Sequence, residues 1–164
     1  GGLGLVGGGY GKRDWIDAQL DVADPSRVGV GFITWSLARS PDLLDHVLGR
    51  RPRAIFLSFG DPRDLARQVK EAGVPLLCQV QNREDAELAI EAGADAMVTP
   101  CPLCHLSLDA WQSKLEAQTG ERFQMPILHL SQLVGVAAGL EDSELMFKRH
   151  VVSVEPALEK LQAP

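Results

Sequence analysis

The strongest constraint on this chain is an alternation. Short apolar runs rich in β-branched residues fall at 28–33, 54–58, 75–80, 95–98 and 126–130, with a sixth candidate at 151–154. Within each run the apolar residues sit together instead of alternating with polar ones, the pattern of strands buried on both faces. Helix signals separate the runs. Ser40-Pro41-Asp42 supplies an N-cap, a proline for the first helical position and an acid for the first turn. Asp61-Pro62-Arg63-Asp64 repeats that arrangement, Asn82 can cap a helix over 83–92, and Gly73 and Gly93 suit the residue after a helix end. Glu71-Ala72-Gly73-Val74 and Glu91-Ala92-Gly93-Ala94 stand 20 residues apart, the length of one αβ unit. Strand, helix and strand joined by short loops imply parallel pairing with right-handed crossovers.

The expected fold class is therefore α/β: a mostly parallel sheet of five or six strands with βα repeats. It is either a partial TIM-barrel-like arrangement or an open doubly wound three-layer one. The 164 residues exclude a complete (β/α)8 barrel, which needs at least about 200. An incomplete barrel leaves strand edges and apolar surface uncovered, so homo-oligomers through exposed edges are expected. After residue 98 the rhythm changes. A longer helix is expected over 106–119, with Leu106, Leu108, Trp111 and Leu115 as its apolar positions. A small apolar helix follows at 131–139, then a charged connector at 141–149 and a tail that frays from Leu161. No Ser/Pro-rich linker interrupts the pattern, which is read as one continuous α/β domain.

Charge narrows the partners. Sixteen Lys and Arg against 22 Asp and Glu give a net charge of −6, which opposes general binding to nucleic acid or anionic membranes. No apolar run approaches the roughly 20 residues of a membrane span, and no signal peptide opens the sequence. Three cysteines do not make a disulfide framework, so a reducing cytoplasm is the expected location. The Gly1-Gly2-Leu3 start lacks a Met and reads as the interior of a longer fold.

Two motifs bear on chemistry. Gly2-Leu3-Gly4-Leu5-Val6-Gly7 satisfies G-x-G-x-x-G, but a dinucleotide fingerprint needs a strand before it. The alternative is a glycine-rich turn. Cys101-Pro102-Leu103-Cys104-His105 is sharper. It follows a strand and opens a helix, where the N-terminal dipole favours thiolate. It fits a thioredoxin-like redox pair. A zinc site would need a fourth ligand beyond Cys101, Cys104 and either His105 or Cys78. An iron–sulfur cluster commonly takes four ligands, and only three cysteines exist. A c-type haem attachment would need export. The remaining alternative is two buried thiols at a helix start. Cys78 and His129 read as buried strand residues, His46 and His150 as solvated, and Trp15, Trp35 and Trp111 as packing residues.

Longer stretches carry family resemblance. Gly1 to Gly9, then Val28-Gly29-Val30-Gly31-Phe32-Ile33-Thr34-Trp35, Arg53 to Pro62, Cys78-Gln79-Val80-Gln81 and Glu91-Ala92-Gly93-Ala94-Asp95 resemble nitronate monooxygenase, formerly 2-nitropropane dioxygenase. The match runs through residue 98. It implies a flavoprotein (β/α)8 barrel that binds FMN and oxidises alkyl nitronates with dioxygen. Gly31 and Phe32 match the segment along the flavin, and Gln79 a position facing its ring. The family's catalytic-histidine loop is replaced here by Thr99-Pro100-Cys101-Pro102-Leu103-Cys104. His105 is the nearby candidate for the catalytic residue, outside that motif. The family's phosphate grip and first strand are absent.

The second stretch, 91–160, resembles the C-terminal CCG-domain end of heterodisulfide reductase B. It is carried by Glu91 to Asp109 and by Pro126-Ile127-Leu128-His129-Leu130-Ser131-Gln132-Leu133-Val134-Gly135. That resemblance implies iron–sulfur electron transfer to a disulfide, with Cys101 and Cys104 as metal ligands. The upstream cysteine and the Cys-Cys-Gly of that motif are missing. The two resemblances overlap at 91–98, so the chain reads as a chimera of a 1–98 segment and a 99–164 segment. Three functional readings follow: an FMN-binding oxidoreductase fragment with an incomplete site; a thiol, iron–sulfur or zinc electron-transfer module; and an inactive chimeric or designed scaffold. The expected partners are a small-molecule substrate or a redox partner protein.

Overall fold

The computed structural model describes residues 2–162. The chain divides into two compact units, Gly1–Gly93 and Ala94–Pro164. The first contains β1 (Gly4–Gly7), α1 (Arg13–Val22), β2 (Val28–Ile33), α2 (Thr34–Leu37), α3 (Pro41–Gly49), β3 (Ile55–Ser58), α4 (Arg63–Glu71), β4 (Leu76–Cys78) and α5 (Arg83–Glu91). The second contains β5 (Met97–Thr99), α6 (Pro102–Ala110), α7 (Gln112–Thr119), β6 (Ile127–His129), α8 (Leu130–Ala137), a 3-10 turn at Phe147–Arg149 and α9 (Glu155–Gln162).

The first unit is a four-stranded parallel sheet in the order β1-β2-β3-β4. Its registers include Gly7 opposite Gly31, Phe32 opposite Leu57 and Leu57 opposite Cys78. The β-branched runs of β2 and β3 fill the core, where Val30, Ile55 and Leu57 meet Ile16, Leu44, Val47 and Val69. Leu43 and Leu44 stand four and three residues before Val47, which puts all three on one buried face of α3. The helix signals act through different atoms. Asn82 caps α5 with its side chain, accepting from Asp85 N–H at 2.9 Å. Ser40 occupies the N-cap of α3 but makes no side-chain cap bond; Pro41 sets that start. Asp61 Oδ1 accepts from Arg63 N–H at 3.0 Å at the head of α4. Gly73 and Gly93 adopt φ of 68° and 82°, closing α4 and α5 in the left-handed region.

The glycine-rich opening is a strand, where the sequence suggested a turn. Gly4 to Gly7 pair with Val28 to Gly31 in parallel. Gly8 follows that strand so closely that a Cβ there would stand 2.6 Å from the Phe32 ring and 2.8 Å from Gly31 O. Glycine is required by this approach of backbone to neighbour.

The second unit has a two-stranded parallel sheet, β5-β6, with Thr99 opposite His129. Among the described residues the six strands fall within the expected number, but they lie in two open sheets and no barrel closes. Residues 151–154 are not a strand. Val152 and Val154 are buried, and Asp109 takes the Val151 and Val152 N–H groups at 2.8 and 3.0 Å, so a carboxylate replaces a neighbouring strand. The helix expected over 106–119 starts earlier and divides at Trp111 into α6 and α7. Beside the break, Gln112 turns inward, accepting from Met125 N–H and donating to Met125 O, both at 2.8 Å. Leu106, Leu108, Trp111 and Leu115 are exposed, as are Trp15 and Trp35, so the three tryptophans are not the packing residues expected. Leu161 and Gln162 continue α9, while the rest of the expected fray, 163–164, lies outside the described residues. No helix among the described residues is long and apolar enough to cross a membrane.

Candidate functional site

The C-x-x-C motif sits at the junction of β5 and α6. Pro102 takes the first helical position, so Cys101 becomes the N-cap. Its sulfur accepts from Cys104 N–H at 3.3 Å, the cap bond an oxygen usually makes. Thr99 Oγ1 accepts from Cys101 N–H at 3.2 Å and fixes the turn. The Cys104 thiol and the cap donors hold the Cys101 thiol below its usual pKa. The same contact pushes the Cys104 thiol up. The pair is thus divided into a thiolate-prone sulfur and a proton-holding one, with Cys104 exposed and Cys101 half-buried. Cys78 lies in β4 of the first unit, where burial raises its thiol pKa.

Among the described residues no group of three or more His, Cys, Asp or Glu side chains is placed to hold a metal ion. His105 is turned away to Ile127 O, 3.2 Å from its Nε2.

His105 instead joins a histidine cluster. Its ring meets His150 edge-on at 4.8 Å between centroids and His129 at 6.1 Å. Gln132 ties this group together: Oε1 accepts from His129 N–H at 2.9 Å, and Nε2 reaches Leu145 O and His150 Nε2, each at 2.8 Å. An open cleft of about 380 Å³ lies alongside, lined by Pro102, His105, His129, Gln132, Leu145 and Met146 among others. His150 is half-buried instead of solvated, and burial lowers its pKa. His129 is not fully satisfied, because its buried Nε2 has no partner. The sequence offered one signal for this cluster: a histidine closing an apolar strand and followed by Ser131 and Gln132 at a helix start. Asp109 and Gln132 carried none, since their roles depend on segments far along the chain.

Gly31, Phe32 and Gln79 belong to the first unit. Gly31 is half-buried, and its carbonyl accepts from Gly8 N–H at 2.6 Å. Phe32 is 2 % exposed, its ring in the core and its carbonyl accepting from Ser58 Oγ at 3.3 Å. Gln79 is exposed just past β4, its N–H donating to Leu57 O at 2.9 Å. Phe32 and Gln79 therefore mark the C-terminal end of one parallel sheet, where α/β ligand sites belong. Exposed aromatic rings gather there. Tyr10 and Trp35 lie 6.1 Å apart, Arg39 sits over Trp35 at 5.0 Å, and Phe59 is exposed with φ of 60°. Thr34 Oγ1, at the start of α2, is buried without a partner. His46, expected to be solvated, is half-buried against Asp17 at 2.7 Å.

No model of a known protein family matches the chain. It is 41 % identical over 64 residues to the 8-methylmenaquinol:fumarate reductase membrane anchor subunit of Wolinella succinogenes, covering 39 % of this chain and 22 % of that protein. It is 38 % identical over 61 residues to the B component of the ferredoxin/F(420)H(2)-dependent CoB-CoM heterodisulfide reductase of Methanosarcina acetivorans, covering 37 % and 20 %. Over 94 residues it is 33 % identical to the nitronate monooxygenase of Pseudomonas aeruginosa, covering 53 % and 26 %. The chain thus spans about a fifth to a quarter of the length of these curated relatives. The resemblance has two parts, consistent with a chimera, and proteins named as redox enzymes stand behind both: nitronate monooxygenase and heterodisulfide reductase.

Proposed function

We propose that this chain is a redox protein whose chemistry is carried by the Cys101–Cys104 dithiol, acting on a disulfide in a small molecule or a partner protein. One observation supports this above the others: Cys104 donates its N–H to Cys101 Sγ and the two thiols are driven in opposite directions. Thiolate is the attacking species in disulfide exchange. Cys101 attacks one substrate sulfur, forming a mixed disulfide and releasing the other as thiolate. Cys104 then attacks Cys101 Sγ, expelling the second substrate thiolate and closing the Cys101–Cys104 disulfide. Two electrons pass to the substrate, and the two protein thiol protons end on its two thiols. A dithiol reductant returns the protein to its starting state. A reducing compartment such as the cytoplasm suits this cycle. In the test, Cys104→Ser is expected to accumulate the mixed disulfide at Cys101, and Cys101→Ser to accumulate none. Equal behaviour of both variants and the parent chain would refute the reading.

A second reading places FMN at the C-terminal strand ends of the first unit. The unpartnered Thr34 Oγ1 supports it, beside Gln79 and the exposed rings. A bound flavin would supply hydride and one-electron chemistry; Thr34 would offer a hydroxyl to its polar edge and Trp35 a stacking face. The visible spectrum of protein purified without oxygen tests this. Two flavin bands that survive gel filtration support it, and a colourless sample rejects it. A colourless sample without thiol exchange leaves an inactive scaffold.

A further inference from the structure

Gln132 holds residues 145–150 against α8 through a bond whose polarity is fixed. Its Oε1 is taken by His129 N–H, so its Nε2 must face Leu145 O and His150 Nε2 as a donor. A donor facing His150 Nε2 requires a lone pair there. Neutral His150 therefore carries its proton on Nδ1, which is buried and unpartnered. A second proton on Nε2 would set N–H against N–H at 2.8 Å. The segment held this way carries its own strain and its own anchor. Met146 is a non-glycine residue at φ 60°. Leu145 lies so close to Gly135 of α8 that a Cβ there would collide with its side chain.

We propose that the Gln132–His150 bond is a pH-sensitive clasp, closed while His150 is neutral and opened when His150 Nε2 is protonated, releasing residues 145–150 from α8. Every element packed on that ring bears on its charge. From α6, Asp109 favours protonation and His105 opposes it; from β6, the Ile127 carbonyl favours it; the Phe147 ring lies 6.0 Å away, and Lys148 and Arg149 precede it in the chain. Asp109 is largely committed to the Val151 and Val152 N–H groups. Desolvation prevails over these charges and lowers the His150 pKa in the closed form, which favours the neutral ring. The clasp does not depend on the dithiol chemistry.

Hydrogen exchange of the full chain at pH 7.5 and 5.0, corrected for intrinsic rates, tests it. If only the open form protonates near the ordinary histidine pKa of about 6.5, opening at pH 5.0 rises by about thirtyfold. Exchange in residues 145–150 is expected to rise by that order. His150→Gln supplies an acceptor that does not titrate, and is expected to hold protection equal at both pH values. Unchanged protection in the parent chain, or the parent response persisting in His150→Gln, would overturn the clasp. Nitrogen NMR of the parent chain at pH 8 gives a readout free of any folding defect. An Nδ1–H tautomer of His150 is expected, and an Nε2–H tautomer would overturn the clasp.

Discussion

Cys101 and Cys104 show how three residues of spacing separate two chemically equal groups. The N-cap sulfur collects hydrogen bonds, and the sulfur one turn later supplies one. In alkylation with iodoacetamide across pH, Cys101 is expected to react with a midpoint below the ordinary thiol value of about 8.5 and Cys104 above it. Cys104→Ala removes the side-chain donor and is expected to move the Cys101 midpoint upward. Coincident midpoints for all three cysteines would remove the electrostatic basis of the proposal. At this scale the sequence was legible where the chemistry is local. The C-x-x-C spacing, the strand before it and the helix after it were all visible. The partners of His129 and His150 were not, because Gln132 joins residues up to 18 positions apart.

Elements show the same division. The strands β2 to β6 follow from their apolar runs, and α5 from its Asn82 cap. β1 was hidden because Gly4-Leu5-Val6-Gly7 is half glycine, which alone favours turns. It becomes a strand because Val28 to Gly31 offers it a parallel edge. Residues 151–154 err the other way. Their β-branched side chains fit a strand, but their amides go to a side chain. Asp109→Ala leaves the Val151 and Val152 donors without that acceptor, so it is expected to destabilise the second unit by about 2–4 kcal/mol. Denaturant unfolding checks this, and a change within experimental error would show that water replaces the carboxylate without loss. Gly29 in β2 is held by a different contact: a Cβ there would lie 2.6 Å from Ala54 O, a backbone atom no rotamer can move. Gly29→Ala is expected to lower stability by about 1–3 kcal/mol through overpacking, measured by the same unfolding curves.

At the scale of the whole molecule, βα repeats predicted parallel pairing, and all four strand pairs are parallel. The repeats did not specify how many sheets would form, because two short parallel sheets and one longer sheet share the same local pattern. The outer strands β1 and β4 expose Leu5 and Leu77, each close to half accessible. We propose that these edges pair between copies. Sedimentation is expected to show species larger than the monomer, reduced by the paired substitutions Leu5→Lys and Leu77→Lys. A strictly monomeric parent chain would reject edge pairing.

The central claim is that Cys101 and Cys104 act as one redox couple, and it is tested most directly by equilibrating the full chain across oxidised and reduced dithiothreitol mixtures. Mass spectrometry then reads the thiols. The account predicts a reversible two-electron transition in which Cys101 and Cys104 lose two hydrogens together while Cys78 stays alkylatable throughout. Cys101 and Cys104 remaining separately alkylatable at the oxidising limit would contradict it.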